Sequence, residues 1–402
     1  MTTSTVPQAL DAPMAARRAR MSRFFRVLIG ITAAIHLPVA LGESELARRL
    51  ALPLPDLIGW SWALAGVALF AGRIRAAMPD RRGRNTAIVR FVDIPYFIHW
   101  CAALWTLIPA ALATVISPLV DLARGQPVAL PVGVYMASYL SGLVVCAYGV
   151  LVRRRWVRVV EREVKIHGLD ARLDGMRIAH LSDLHIGTMT PRSWGLEWAR
   201  LANACAPDVA VVTGDMVTSG TDFHGDVADV IGALRAGGGV FASMGNHDYF
   251  GEGEPLVSLL RERGVKVLRN EGVVVERGGA KVWMAAIDDT WTRRDDIESA
   301  MRHRPAGATA VLLAHDPNRF EAAADAGAEL VLSGHTHGGQ VAMPFLTRWN
   351  LASFGYPYNV GIYRRKRSVL YVHPGLGTTG PPIRIGAAPE VTILVLRGVA
   401  AD

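Results

Sequence analysis

Cysteine is scarce. Three residues in 402, at positions 101, 146 and 205, show neither paired nor metal-type spacing. That excludes a disulfide-stapled scaffold. Charge is sparse as well: Asp, Glu, Lys and Arg make up 19% of the chain and hydrophobic residues 51%, against roughly 25% charged in an average soluble chain. A disordered protein would show the opposite balance and is excluded. Internal repeats are missing, and so are low-complexity tracts beyond an Ala/Arg-rich N-terminal tail. Acidic residues are the minority, 35 against 43 Lys and Arg, for a net charge of +8. A basic excess fits a nucleic-acid binder or a membrane protein, so its position along the chain has to decide.

The apolar residues lie in front. Four stretches, Phe24–Leu41, Leu52–Gly72, Ile94–Val120 and Val128–Val152, approach the roughly 20 residues of a bilayer-spanning helix. Pro109 and Pro118 predict a kink or an early end in the third. Arginines 17, 18, 20 and 23 precede the first stretch, 73, 75, 81, 82, 84 and 90 separate the second from the third, and 153, 154, 155, 158 and 162 follow the fourth. The positive-inside rule then places the N-terminus, the middle loop and everything after the fourth stretch in the cytoplasm. Ala40-Leu41-Gly42 resembles a signal-peptide cleavage site, and removal of the first stretch would leave this orientation unchanged. His36, Asp56, Asp93 and His99 lie in or beside these stretches, where such groups are costly and often functional; Asp56 and Asp93 sit near ends, which favours interfacial or helix-packing groups over functional ones. The expected organisation is a cytoplasmic basic tail over 1–23, a membrane domain of four helices over 24–152, and a catalytic domain over 153–402. The charge divides the same way: residues 1–165 hold 20 Lys and Arg against 9 Asp and Glu, the remainder 23 against 26. The basic excess therefore belongs to the membrane half, where it sets topology, and a nucleic-acid partner is not expected.

From Trp156 onward, short β-type runs alternate with amphipathic stretches, which implies an α/β layer structure. Strands are expected at Val157–Ile166, at runs beginning at Arg177, Val209, Val240, Val282, Ala310 and Leu330, and at Ser368–Val372 and Val391–Leu396. Helices are expected at Trp194–Ala204, Asp226–Arg235, Pro255–Glu262 and Asn318–Ala326. The residues just after the strands carry the chemistry: Asp183-Leu184-His185, Gly214-Asp215, Gly245-Asn246-His247-Asp248, Ala314-His315-Asp316, and Ser333–Gln340 with His335-Thr336-His337. Each group alone reads as a turn or a helix cap. Five in succession at strand ends, where open α/β sheets gather ligands, read as a metal site. Carboxylate, amide and imidazole donors without thiolate suit Mn, Fe or Zn. Seven such donors suit two ions sharing a carboxylate, the arrangement that assists phosphoester hydrolysis.

This ordered set resembles that of the calcineurin-like metallophosphoesterases, over roughly Val157 to Leu396. Ser333–Gln340, Gly375–Gly380 and Pro389-Glu390-Val391 resemble most the bacterial branch of small phosphodiesterases similar to YkuE and YaeI. The resemblance implies a four-layer α/β/β/α sandwich, here preceded by an all-α transmembrane bundle. It implies that Asp183, His185 and His337 bind one metal, that Asn246, His315 and His335 bind the second, and that Asp215 bridges both. A metal-bridging hydroxide would attack phosphorus in line. His247 would stabilise the transition state and protonate the leaving oxygen, and Asp248 would orient that imidazole. The segment Val341–Tyr363, with Trp349, Phe354, Tyr356 and Tyr358, is either a wall of the substrate site or an ordinary surface loop.

The expected protein is thus a multi-pass inner-membrane phosphoesterase with a cytoplasmic catalytic domain. It is more a diesterase than a monoesterase, with a phospholipid or lipid-linked nucleotide as substrate and membrane lipids as partners. The alternative is a transporter or sensor whose membrane bundle is regulated by the phosphoesterase domain.

Overall fold

The computed structural model describes residues 11–76, 86–125, 130–343 and 345–399. Residues 1–10 of the expected tail, Arg81, Arg82 and Arg84 of the expected middle loop, and residues 128–129 of the fourth expected span lie outside the described residues. The chain divides into two compact units, Met1–Ala147 and Tyr148–Asp402.

Among the described residues of the N-terminal region, the stretches Phe25–Arg49, Val89–Arg124 and Val132–Arg155 are long and apolar enough to cross a membrane, by length and composition. The helix Pro55–Ala76 takes in the second expected span from Pro55 on and is not among these three, with Asp56 in its first turn and Arg73 and Arg75 near its end. The first helix, Asp11–Arg49, continues unbroken through Ala40-Leu41-Gly42. The third expected span ends at neither proline: the helix Ile94–Arg124 runs through Pro109 and Pro118 and stops at Gly125. Apolar helices tolerate an internal proline because neighbouring groups satisfy the freed carbonyl. His36 and His99 face one another, Nε2 to Nε2 at 2.9 Å, while His36 Nδ1 donates to Thr32 O and His99 Nδ1 lies 2.7 Å from Tyr139 Oη. These imidazoles tie helices together, as packing groups do. Asp56 pairs with Arg48 at 3.0 Å in an exposed position.

The second unit contains two six-stranded sheets. One has the order β1 (Arg158–His167), β14 (Glu390–Val399), β2 (Arg177–Leu181), β3 (Val209–Thr213), β4 (Val240–Ser243) and β5 (Lys266–Val267). The other runs β12 (Gly361–Arg365), β13 (Ser368–Val372), β9 (Leu330–Ser333), β8 (Thr309–Leu313), β7 (Ala280–Ala286) and β6 (Glu271–Arg277). A separate two-stranded ribbon pairs β10 (Ala342–Met343) with β11 (Leu346–Asn350).

Side-chain alternation along the strands builds the layers. Ile178, Val209 and Val211 of the first sheet meet Met284, Val311, Leu313 and Leu332 of the second in one inter-sheet core. Their neighbours Ala179, Leu181, Ala210 and Val212 face the helices Arg192–Ala204, His224–Ile231 and Gly253–Glu262. On the far side, Ala310, Leu312 and Val331 pack beneath Ile297–Met301 and Phe320–Asp325. The layers are therefore helix, sheet, sheet, helix, and β2, β3 and β4 are parallel to one another, as are β7, β8 and β9. Loops leaving the carboxyl ends of strands in both sheets can then converge on one edge of the sandwich.

Among the polar groups of the inter-sheet core is a histidine pair. His180 is fully buried, with Nε2 2.8 Å from Thr213 Oγ1 and its ring 4.9 Å from that of His373. Burial lowers the His180 pKa to about 3. The unfolded chain binds this proton near pH 6.5 and the folded chain does not, so stability is intact above that pH and declines as pH falls toward about 3. At pH 5 the single group lowers stability by about 2 kcal/mol relative to pH 7.5. Thermal denaturation of the chelator-treated protein at those two pH values measures this. The decline should be smaller in His180→Gln.

Candidate metal centre

Every expected site residue lies just past the end of a strand: Asp183 and His185 after β2, Asp215 after β3, Asn246, His247 and Asp248 after β4, His315 after β8, and His335 and His337 after β9. The backbone there is unusual. Asp183, His185, Asp215, His335 and His337 all have positive φ, between 46° and 72°. Non-glycine residues in that region cost roughly 1–3 kcal/mol each and persist only where the surroundings impose them, commonly at functional sites. Two glycines make the approach close enough. A Cβ on Gly245 would overlap Asp215 Oδ1, and one on Gly334 would overlap Ser182 Oγ and Asp183 Oδ2.

The side chains form two groups that share Asp215: Asp183, His185, Asp215 and His337 in one, Asp215, His315 and His335 in the other, with donor atoms inside 4.8 Å of each other in each. In the first, His185 Nε2 is 3.0 Å from His337 Nε2 and 3.6 Å from Asp215 Oδ2, and His337 Nε2 is 3.4 Å from Asp183 Oδ1. In the second, His315 Nε2 is 3.3 Å from Asp215 Oδ2 and 3.2 Å from His335 Nδ1. Two ligands about 2.1 Å from one ion and at right angles to it lie about 3 Å apart, so these spacings fit a metal in each group. Asn246 supports the same reading, since its Oδ1 is buried and has no hydrogen-bond partner.

Three of the imidazoles are in the protonation state a donor needs. Burial and neighbouring positive charge hold His185 and His337 far below the usual imidazole range, and burial lowers His335 to about 4. All three are neutral at pH 7, as ligands must be. Burial works against the charge on His315, but the Asp215 carboxylate overrides it and raises the group to about 10. Burial would likewise raise Asp215, yet His315 and His247 keep it well below the carboxylate range. Burial raises Asp183 to about 7. A cluster of this kind, buried and rich in carboxylate and imidazole, is well matched to divalent cations.

The surrounding hydrogen bonds fix the donors in place, as outer-shell partners do. His315 Nδ1 donates to Thr213 O at 2.7 Å, which turns Nε2 toward Asp215. Asp183 accepts the His335 backbone N–H, and Asp215 Oδ1 accepts that of His247. His247 donates from Nδ1 to Thr218 O at 2.7 Å and stands edge-on to His185 with ring centroids 4.6 Å apart. The orientation expected from Asp248 therefore comes from the Thr218 carbonyl instead. Asp248 Oδ1 accepts the Met216 and Val217 N–H groups and Oδ2 that of Gly245, so this residue shapes the loops on either side of Asp215.

Three further side chains bear on the site. Tyr356 places its hydroxyl 2.8 Å from His335 Nε2, so the segment after β9 does reach the metal donors. Trp291 lies 5.8 Å from the His335 ring, ring centroid to ring centroid, and is largely exposed. Arg384, fully buried, donates to Pro374 O and Gly377 O and staples the loop packed against Asp183 and His337. Neither Trp291 nor Arg384 is expected from the motifs. Arg384 is nevertheless the lone Lys, Arg, Asp or Glu between Ser368 and Pro389, a signal available in the sequence.

The calcineurin-like phosphoesterase family profile matches residues 176–339. A zebrafish transmembrane protein with metallophosphoesterase domain is 32% identical over 268 residues, 63% of this chain and 60% of that protein. The chain thus spans less than two thirds of that relative's length. The uncharacterized metallophosphoesterase YkuE of Bacillus subtilis is 30% identical over 245 residues, 60% of this chain and 86% of its own length. Among solved structures, phosphopantetheinyl hydrolase from Mycobacterium tuberculosis aligns with a TM-score of 0.32 at 13% identity, covering 52% of this chain and 91% of that one.

Proposed function

The chain belongs to the calcineurin-like metallophosphoesterase family, and from that premise we propose a membrane-anchored phosphodiesterase that works with two divalent metal ions. The observation that carries the reading is the pair of donor groups joined by Asp215, with His247 held beside them. In this reading Asp183, His185 and His337 hold one ion, Asn246, His315 and His335 the other, and Asp215 both. Mn, Fe or Zn suits these donors. Bound there, the ions supply positive charge to phosphoryl oxygens and make water nucleophilic at neutral pH.

The residues of the chain do the rest. Five backbone positions held at positive φ fix the donors before substrate arrives, so little reorganisation is needed during reaction. His247, with Nδ1 committed to Thr218 O and Nε2 3.5 Å from Thr379 Oγ1, passes a proton from Nε2 to the departing oxygen. Asp248 acts through the backbone at Met216, Val217 and Gly245 as a positioning residue.

The arginine distribution supports four spans over 24–152 after a basic tail over 1–23, and a catalytic domain from 153 on the cytoplasmic face of the inner membrane. A site tethered to a bilayer suits a phospholipid or lipid-linked nucleotide. The full chain, purified in detergent with Mn²⁺, tests this against bis(p-nitrophenyl) phosphate, p-nitrophenyl phosphate and a phospholipid in mixed micelles. Chelator-sensitive hydrolysis is expected, with diester preferred to monoester and lipid to soluble diester. Preference for the monoester, or equal rates on lipid and soluble diester, would overturn the substrate assignment.

A further inference from the structure

The segment that brings Tyr356 to the metal centre also carries the most exposed apolar side chains of the catalytic unit. Phe345 is 102% exposed, Phe354 91% and Trp349 71%, with Met343, Leu346 and Leu351 beside them in sequence and also exposed. Monomeric soluble proteins rarely leave such a concentration of large apolar groups in water unless it serves an interaction.

These side chains are held outward by an ordered scaffold. β10 and β11 pair antiparallel. Asn350 accepts the Ser353 N–H and donates to Thr347 O, and Ser353 Oγ donates to Asn350 O at 2.6 Å. Thr336, between two of the proposed ligands, donates to Asn359 O at 2.6 Å. Together with the Tyr356–His335 contact, this fixes the apolar surface to the same loop that holds the metal donors.

Charge identifies the occupant. No Asp or Glu occurs from Val341 to Pro389, and Arg348 lies among the apolar side chains in sequence, whereas Arg364, Arg365, Lys366 and Arg367 sit at the β12–β13 turn, the end of that sheet away from His335. Arg365 and Lys366 pair with Asp325. Arg348 donates to Ile362 O, lies over the Tyr363 ring and has no carboxylate partner among the described residues. Trp and Phe beside arginine, without acidic residues, is the composition that seats in the headgroup region of a membrane. Each basic residue near an anionic leaflet adds about 1 kcal/mol of attraction. A protein partner would not require the acidic residues to be missing.

We propose that Met343 and Phe345–Phe354 form a membrane-docking surface that inserts into an anionic phospholipid bilayer and brings the metal centre to lipid phosphoesters. The consequence for substrate rests on the phosphoesterase reading; the docking itself does not.

The full chain in nanodiscs of phosphatidylglycerol with brominated acyl chains provides the test. A fluorophore is attached at Phe345→Cys, or at the exposed control Glu276→Cys, each in a Cys205→Ala background. Docking predicts severalfold stronger quenching at 345 than at 276, and weaker quenching at 345 when all lipid is phosphatidylcholine. The double variant Phe345→Ser, Leu346→Ser should lower the ratio of bilayer-presented to soluble diester turnover at least tenfold. Equal quenching at the two positions, or a 345 probe buried between two copies of the chain, overturns docking. If soluble diester is hydrolysed while the 345 probe stays in water, docking falls and the phosphoesterase reading stands. If no form hydrolyses any phosphoester, that reading falls, and strong quenching at 345 still upholds docking.

Discussion

Asp215→Asn is expected to reduce turnover more than 100-fold and to lower metal content in the same protein. Asp215 is the one residue common to both donor groups, and Oδ2 faces His185 and His315. Asparagine has nearly the same shape and can still accept the His247 N–H at Oδ1, so the loop retains its main contact. The variant lacks only the charge. Asp215 is the carboxylate that raises His315 to about 10, and its neutral replacement cannot balance two divalent ions in a buried site. Disturbing an outer-shell partner of a metal site costs 10–100-fold in affinity or activity, and loss of a shared inner ligand should exceed that. Metal analysis by mass spectrometry, beside circular dichroism to confirm folding, separates this from general destabilisation. Unchanged metal content with unchanged rate would remove Asp215 from the centre.

His247→Ala should produce the opposite pattern: metal content retained, kcat reduced by about 10²–10⁴. The histidine is held through Nδ1 by Thr218 O, and the ring packs against Phe250. It stands beside the donors and belongs to neither group. Acid catalysis matters most when the leaving oxygen is strongly basic. The loss should therefore be large for an alkyl phosphodiester and much smaller for a p-nitrophenyl one. An equal loss for both leaving groups would assign His247 to charge stabilisation alone, and no loss would exclude it from the reaction.

Much of this site could be read from the sequence because its chemistry is local in the chain. Each donor follows a short buried strand within a few residues, and the order Asp-x-His, Gly-Asp, Asn-His-Asp, His, His-Thr-His survives without any knowledge of packing. Parallel strands buried on both faces, such as β3 and β8, give continuous apolar runs that stand out. The strand β6 was not expected, although Gly278-Gly279 before β7 is a two-residue hairpin signal. Its alternation is weak, since it lies at the sheet edge with its residues mostly half-buried or exposed. β12 is the opposite edge and was concealed for the same reason. Adjacency suggests contact between Asp248 and His247, whereas the Asp248 carboxylate turns back to three backbone amides. Trp291 and Arg384 reach the site from distant segments that no motif spacing connects to it, whereas Tyr356 lies in the segment that the sequence offers as a wall of the site.

The most direct measurement is metal stoichiometry alongside turnover in the full chain. Chelator-treated protein is titrated with Mn²⁺, and bound metal and phosphodiester hydrolysis are followed together. A dimetal site built around Asp215 predicts no activity at zero metal, two equivalents bound at saturation, and activity that requires the second. Full activity in the metal-free protein, or saturation of both binding and rate at one equivalent, would contradict it.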